Sequence, residues 1–523
     1  MLDTFDTERI ELGDKSKFES ITTNLNFSQY PNFMINDLKD MSFLLSIFDN
    51  IVGPKIIHYW KIETKDKNEQ FEIDDDLLKY ISVHTLNGEL YQDKMMGQIK
   101  YRLYLIKEVN CAIFSVFFDA CTYEACNYNT FFNNQKNNLD GDSTNEDKNN
   151  TQKNQALNNC LSVILPFNKS HIFLGDNEDH TQLFVNIFEN LVMEFKIMAH
   201  IKPKINKVSA AIEDMTRMIL NLCENILTLE KRGLDRSIKE NTSIENKTRI
   251  SIKETLLNDL SFTGTNYSHV NNEFLIKAIS SHLITSFNTI VVGKTSAGVN
   301  KMINTLALFM PNEKLRTSCY ALEEYSLMSP YFTLQGLVLE NPEEFNLLLD
   351  ADFLFKRNFP TTIVDVSSKT VCRTCIFKEF VKKKEEYMNK RNQFLFNCLN
   401  VNDLNNIYPV ANMMTWISNS SQSHRSVIIA NILKQLDVFE SGLGIKQTFI
   451  DLAIKDLYLI SLNLIEYVNN EGMNMINRKE KILKISSKKV CKDLLLSNEE
   501  DLNVAIAYAN FLKPDFLQSI HFF

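Results

Sequence analysis

Between Glu273 and Met310 the apolar period of the chain changes twice, over the stretch EFLIKAISSHLITSFNTIVVGKTSAGVNKMINTLALFM. Leu275, Ile279 and Leu283 recur every four residues with Ile276 and Ile284 beside them, which puts one apolar stripe on a helix. Asn288 to Val292 is then a short β-branched run with no room for another helical turn, as in a strand buried on both faces. After Gly293 the apolar residues Val299, Ile303, Leu306 and Met310 restore helical spacing. Helix, strand, turn and helix in that order require an α/β unit with a sheet beneath the helices.

The turn itself, GKTSAG, carries the Gly-Lys-Thr that closes a phosphate-binding loop. Such a loop also needs a glycine five residues before the second one, so that a bow of backbone N–H groups can wrap the phosphates. Asn288 stands there, and Thr289 to Val292 are the strand. Gly293, Lys294 and Thr295 are therefore an incomplete P-loop, and the NTPase reading gives way to a structural one. In that reading Gly293 permits a tight strand-to-helix turn, Thr295 or Ser296 caps the helix, and Lys294 is solvated.

A chain of 523 residues exceeds what one core supports, so three or four units of about 150 residues are expected. A hydrophobic fraction of 44% with 36 Phe is ample for packed cores, and a net charge of −9 excludes a broad nucleic-acid surface. The N-terminus has neither the apolar core of a signal peptide nor the Arg-rich composition of a transit peptide, which leads us to expect a cytoplasmic protein with reduced cysteines. The apolar stretch Phe449 to Val468 is broken by Asp451, Lys455, Asp456 and Glu466 and reads as a deeply packed helix, not a membrane span.

Taken in order, residues 1–40 lack periodicity and are expected to be a loosely ordered leader. Phe43 to Trp60 reads as a hairpin, and Asp74 to Asp76 can cap a helix bearing Leu77, Leu78 and Ile81 that stops at Asn87-Gly88. Tyr101 to Val109, Cys111 to Phe118 and Leu161 to Phe167 read as strands, and Phe184, Phe188, Leu191, Phe195 and Met198 as a helical stripe. The Asn-rich stretch 127–159 cannot bury enough surface to offset chain entropy, so a disordered insert is expected there. An α/β domain over 41–203 results. A helix follows over 204–232, with a short seam from Ile212 to Leu229 that suits packing on its own domain or a coiled coil. A polar linker over 233–270 precedes a second α/β domain over 271–400, which includes the apolar run Tyr331 to Leu339 and the segment Phe359 to Val366. A charged cluster, Lys382 to Glu386, reads as the solvated face of its last helix. No convincing strand follows residue 403, so 401–523 is expected to be helical, with Phe449, Leu452, Leu457, Ile460 and Leu464 on a helix apolar almost all round. The fold class is α/β plus α.

Catalytic constellations are scarce. Cys372 and Cys375 form a single CxxC, half a zinc site at most, and the nine histidines are scattered, so no metal site is expected. His84 and His282 read as satisfied local hydrogen-bonders. No nucleophile elbow, zincin motif or kinase set is present, which leaves no catalytic residue and no cofactor to assign.

Six blocks carry a resemblance: FDNIVGPKIIHYW (48–60), HTLNGE (84–89), FLIKAISSHL (274–283), IVVGKTSAGVNKMINTLALFM (290–310), FPTTIVDV (359–366) and DLNVAIAYANFLKP (501–514). In that order they closely resemble the DENN-module protein family of the ALS and frontotemporal dementia repeat-expansion gene on human chromosome nine. The resemblance covers most of the chain from residue 41. It implies a DENN module, with an N-terminal longin-like α/β domain, a central α/β DENN domain and a C-terminal helical part. It implies regulation of small GTPases of the Rab or Arf kind, in autophagy and endolysosomal traffic, within a complex with a second, larger DENN protein and a WD-repeat protein. Recruitment from the cytoplasm to endosomes, lysosomes or autophagosomes would then run through partners. Two alternatives stand beside it, a stand-alone Rab guanine-nucleotide exchange factor and a non-catalytic scaffold pairing through its longin domain. In the family the catalytic arginine belongs to the larger partner. Arg357, Arg373 and Arg425 are expected to be exposed-loop arginines of this chain, with ordinary surface roles. The Asn-rich insert, the long leader and an end soon after Pro514 depart from the family pattern, and the short C-terminus puts higher-order dimerisation in doubt.

Overall fold

A computed structural model describes residues 22–25, 40–49, 53–62, 73–87, 100–120, 157–170, 254–259, 269–322, 328–339, 351–375, 379–387, 425–439, 443–476, 483–513 and 520–522. Short runs and single positions between 185 and 250, and at 377 and 516, are also described. The chain has two compact units, residues 1–176 with 188–220, and residues 177–187 with 221–523.

The first unit is built on a six-stranded sheet. Its strands are β1 (Thr22–Leu25), β2 (Ser42–Asp49), β3 (Gly53–Ile62), β4 (Lys100–Ile106), β5 (Cys111–Ala120) and β6 (Leu157–Pro166), in spatial order β1-β3-β2-β6-β5-β4. The expected hairpin is β2 against β3, antiparallel, with a register shift between Leu45 and Ser46. β5 and β6 are interior strands, and their Ile113, Phe114, Val116, Leu161, Val163 and Ile164 are all buried, the continuous apolar pattern of a strand covered on both faces. Helix α1 (Asp75–Asn87) begins where the Leu77 N–H donates to Asp74 Oδ1 at 2.7 Å, and its Leu78 and Ile81 share a core with Leu44, Ile113 and Ile164. Three expectations change. The leader holds a strand, since β1 pairs parallel with β3 from Thr22↔Tyr59 to Leu25↔Ile62. The strand read over Tyr101 to Val109 ends at Ile106, and Lys107–Val109 is a 3-10 turn leading to left-handed Asn110. β6 begins at Leu157, inside the stretch read as the insert; residues 127–156 lie outside those described. Of the expected stripe Phe184 to Met198, Phe188 has a described side chain, its ring 5.3 Å from that of Phe114.

In the second unit, helix α2 (His269–Ile284), strand β7 (Thr289–Gly293) and helix α3 (Ser296–Ala307) follow one another as the period changes required. After the single turn α4 (Asn312–Leu315) come β8 (Leu334–Val338), α5 (Ala351–Lys356), β9 (Thr362–Asp365) and β10 (Thr370–Arg373). The sheet order is β10-β9-β7-β8, with β7 parallel to both neighbours and β10 antiparallel. Alternate residues of β7 serve opposite faces. Val291 joins Leu275, Ile279, Val299 and Ile303 in the large core, while Ile290 and Val292 meet Phe353 and Leu354 of α5.

Helices α6 (Val427–Val438), α7 (Leu443–Ile476), α8 (Ser487–Asp493) and α9 (Glu499–Leu512) complete the unit. Ile429, Leu433, Ile450, Leu457, Val504 and Tyr508 from α6, α7 and α9 belong to the same core as α2 and α3. A smaller core gathers Leu464, Val468, Val490, Leu502 and Phe516. Two expectations fail in this region. Strands do occur beyond residue 403, as β11 (Leu483–Ile485) pairs parallel with β12 (Ile520–Phe522). Helix α7 is not apolar all round in its environment: Ile450, Leu457 and Leu464 are buried, while Leu452, Leu459 and Leu462 are exposed.

Candidate functional site

The turn that closes β7 is tied from two directions. Gly293 lies so close to α3 that a Cβ there would come within 2.8 Å of Val299 Cγ2, so its role is close approach of strand and helix. The Lys294 N–H donates to Ser367 Oγ at 3.1 Å, and the extended Thr295 caps α3, its Oγ1 accepting from the Gly298 N–H at 3.4 Å. Asp365, at the end of β9, accepts from the N–H groups of Ser367 and Ser368 at 2.8 and 3.1 Å and from the Ser368 hydroxyl at 2.7 Å. β7 fills Thr289–Gly293, so the turn before α3 has only Lys294 and Thr295 to offer. The carboxyl ends of β7 and β9 thus converge at the edge where open parallel sheets bind ligands, with one exposed lysine and one helix start between them. That geometry provides an anion contact but neither a phosphate cradle nor a proton-transfer pair.

The three candidate arginines separate. Arg357 and Arg373 are not in exposed loops: each is at most 4% exposed. Arg357 donates from Nη2 to Phe332 O at 2.8 Å and lies 5.1 Å from the centre of the Phe353 ring, and burial pulls its pKa down to about 9. Arg373 stands 3.8 Å from Glu500, and desolvation outweighs that carboxylate in lowering its pKa. Arg425 keeps a half-exposed side chain, 3.6 Å from Glu273. Nor is the basic cluster after α5 uniformly solvated. Lys384 reaches back to Arg357 O at 2.7 Å and Asn358 Oδ1 at 3.2 Å, and burial lowers its pKa.

His84 and His282 differ from each other. His84 is exposed, stacked on Tyr80 at 5.6 Å and edge-on to Tyr104 at 5.5 Å. His282 is wholly buried and only half satisfied, with Nδ1 2.7 Å from Thr289 Oγ1 and no partner for Nε2. Burial pushes its pKa down to about 3. The Cys375 thiol is buried and pushed up to about 11, which removes thiolate character. Among the described residues no group of three or more His, Cys, Asp or Glu is placed to hold a metal, and no helix is long and apolar enough to cross a membrane.

A surface missed in the sequence lies at the outer edge of the first sheet. Among the described residues β4 is the terminal strand there and pairs only with β5. Tyr101 and Leu105 on β4 are 45% and 44% exposed, and Tyr80 and Val83 on α1 are 45% and 43% exposed. Tyr101 and Leu105 lie on the sheet face away from α1, and a strand edge unpaired among the described residues is a surface another chain can extend.

Comparison with known proteins places these features in a family context. The model of the C9orf72-like protein family matches residues 148–379. The human protein named guanine nucleotide exchange factor C9orf72 is 25% identical over 480 residues, which is 89% of this chain and 88% of that protein. The mouse and rat homologues of that factor match at the same identity and coverage. The resemblance to this family is thereby shown.

Proposed function

We propose, on the premise that this chain is of the C9orf72-like kind, that it regulates a small GTPase as a DENN-module subunit. The observation that carries the reading is the likeness to a named guanine nucleotide exchange factor over 89% of the chain. The proposed division follows the expected boundaries, with a longin-like domain over 41–203, a central DENN domain over 271–400 and a helical part over 401–523. The proposed partners are a Rab or Arf GTPase, a second, larger DENN protein and a WD-repeat protein. The proposed setting is autophagy and endolysosomal traffic, with recruitment from the cytoplasm through those partners.

Two features support action within a complex. Arg357 and Arg373 are committed to Phe332 O and Glu500 inside the fold, so neither is free to enter a GTPase site in trans. The β4 edge, unpaired among the described residues, offers a place for a partner to join, which also favours the scaffold reading. The test measures release of labelled GDP and hydrolysis of GTP by a Rab and Arf panel, with this chain alone and with a DENN partner recovered from native cells. We expect stimulation only in the assembled state, with Arg425→Ala changing it less than about tenfold, against the roughly 10³–10⁵ that an arginine finger supplies. Robust GDP release by the isolated chain would favour the stand-alone exchange factor. No effect in either state would leave the scaffold, and a thousandfold loss in Arg425→Ala would place the finger here.

A further inference from the structure

Helix α2 ends in a cap that is unusual in its residues. The Phe287 N–H donates back to His282 O at 2.9 Å and the Ser286 N–H to Leu283 O at 3.0 Å, the pair of bonds that closes a helix through a left-handed residue. Glycine normally stands at that residue, because a side chain there crowds the backbone. Here it is Ser286, with φ 51°, and Phe287 after it is left-handed too, with φ 71°. Each such residue disfavours the turn by roughly tenfold relative to a relaxed backbone, so something outside the turn must hold it.

The bonds at the base of the turn are partly local and partly to β9, where the Thr362 N–H donates to Asn288 O at 2.9 Å. The Thr285 hydroxyl lies 2.9 Å from that of Thr362, and Asn288 Nδ2 donates to Thr285 O at 3.1 Å and to Ser286 O at 3.4 Å. None of them holds the Phe287 side chain. That ring is fully buried and stands edge-on to Tyr508 of α9, with centres 5.5 Å apart at 83°, and 5.6 Å from His282. Tyr508 is in turn fixed from two other helices. Its hydroxyl donates to Phe309 O just beyond α3, and its ring crosses that of Tyr458 on α7 at 5.1 Å. β7 starts two residues after Phe287, where the Thr289 N–H donates to Thr333 O at 2.8 Å, and runs directly to the Gly293–Lys294 turn.

We propose that α9 is a clamp on the central strand: Tyr508 seated against Phe287 holds the α2–β7 turn in its left-handed form, and withdrawal of α9 releases the turn and frays the start of β7. The C-terminal helices and the central sheet share a common core, and at this turn the Tyr508–Phe287 contact is what couples them. A partner that moves α9 would alter β7 and, through it, the turn at the far end of that strand. The coupling does not depend on which GTPase, or any, the chain serves.

Hydrogen exchange on the full chain, read in peptides covering 285–292 and, as an internal reference, 334–338, tests the clamp. Tyr508→Leu should raise exchange at 285–292 by at least about tenfold more than at 334–338. Ser286→Gly, which removes the crowding without touching α9, should slow exchange at 285–292 in the otherwise native chain and should restore most of the loss in the double variant. Equal acceleration of both peptides in Tyr508→Leu would reduce Tyr508 to a general core residue and overturn the proposal. If Tyr508→Leu does not fold, Ser286→Gly decides alone, because faster exchange at 285–292 in that variant means the turn is not strained.

Discussion

Asp501 shows how much of the second unit hangs on a single carboxylate. It is wholly buried, Oδ1 accepting from the Ser426 hydroxyl at 2.6 Å and the Ile428 N–H at 3.1 Å, and Oδ2 from the Ser497 N–H at 3.3 Å. Ser426 caps α6 and Asp501 sits in the first turn of α9, so two positive helix ends share one negative group. Asp501→Ala strands buried donors at both helix starts and should cost about 2–4 kcal/mol, read as a lower urea midpoint at unchanged slope. In the sequence Asp501 is only the acidic beginning of an amphipathic segment, because two of its three donors, Ser426 and Ile428, lie more than seventy positions away. Arg357 was illegible for the same reason. An arginine beside a turn looks like surface charge until the carbonyls of Ser329 and Phe332 are brought around it.

Elements read well wherever their signal is local and periodic. The α2, β7 and α3 succession, the β2–β3 hairpin and the Asp74 cap of α1 all follow from spacing and cap residues within one segment. β1, with sequence TTNL, has no such signal, and its strand conformation comes from the edge of β3 that it joins. β11 and β12 are three residues each and depend on each other in the same way. Contact between elements is also where one glycine becomes decisive. A Cβ on Gly336 of β8 would stand 2.6 Å from Ile303 Cδ1, 2.8 Å from Val299 Cγ1 and 2.9 Å from Ala321 Cβ. Gly336→Ala should therefore destabilise the second unit by about 1–3 kcal/mol, and trimming the neighbour with Val299→Ala in the same chain should recover part of it, which a double-mutant cycle in thermal unfolding measures.

At the scale of the whole molecule, acid should weaken both units through one histidine each. Burial pushes the pKa of His58 down to about 4 and that of His282 to about 3, below the ordinary value of 6.5 that both regain on unfolding. The unfolded chain binds the extra protons, so this contribution to stability is complete above pH 6.5 and is lost as pH falls through the range from 6.5 toward 3. At about 1.4 kcal/mol per pH unit, His282 alone should cost the second unit about 2 kcal/mol at pH 5. Unfolding free energies between pH 7 and pH 5 should fall more steeply for the native chain than for His282→Gln, and parallel curves would show that the imidazole stays charged in the fold.

The strand order of the first unit also sets a timetable. β6 lies between β2 and β5, so the β2–β3 hairpin lacks its neighbour until residues 63–156 have been synthesised and β6 has followed. At ordinary elongation rates that wait lasts roughly 5–20 s, far longer than a hairpin takes to form. Throughout it Phe43, Leu44 and Trp60, all buried in the finished sheet, lack the β6 and β5 side of the sheet that helps to cover them. The emerging N-terminal half should therefore be captured by ribosome-associated chaperones more strongly from nascent chains stalled before residue 157 than from chains stalled after β6 has emerged, and equal capture would show that the hairpin does not wait exposed.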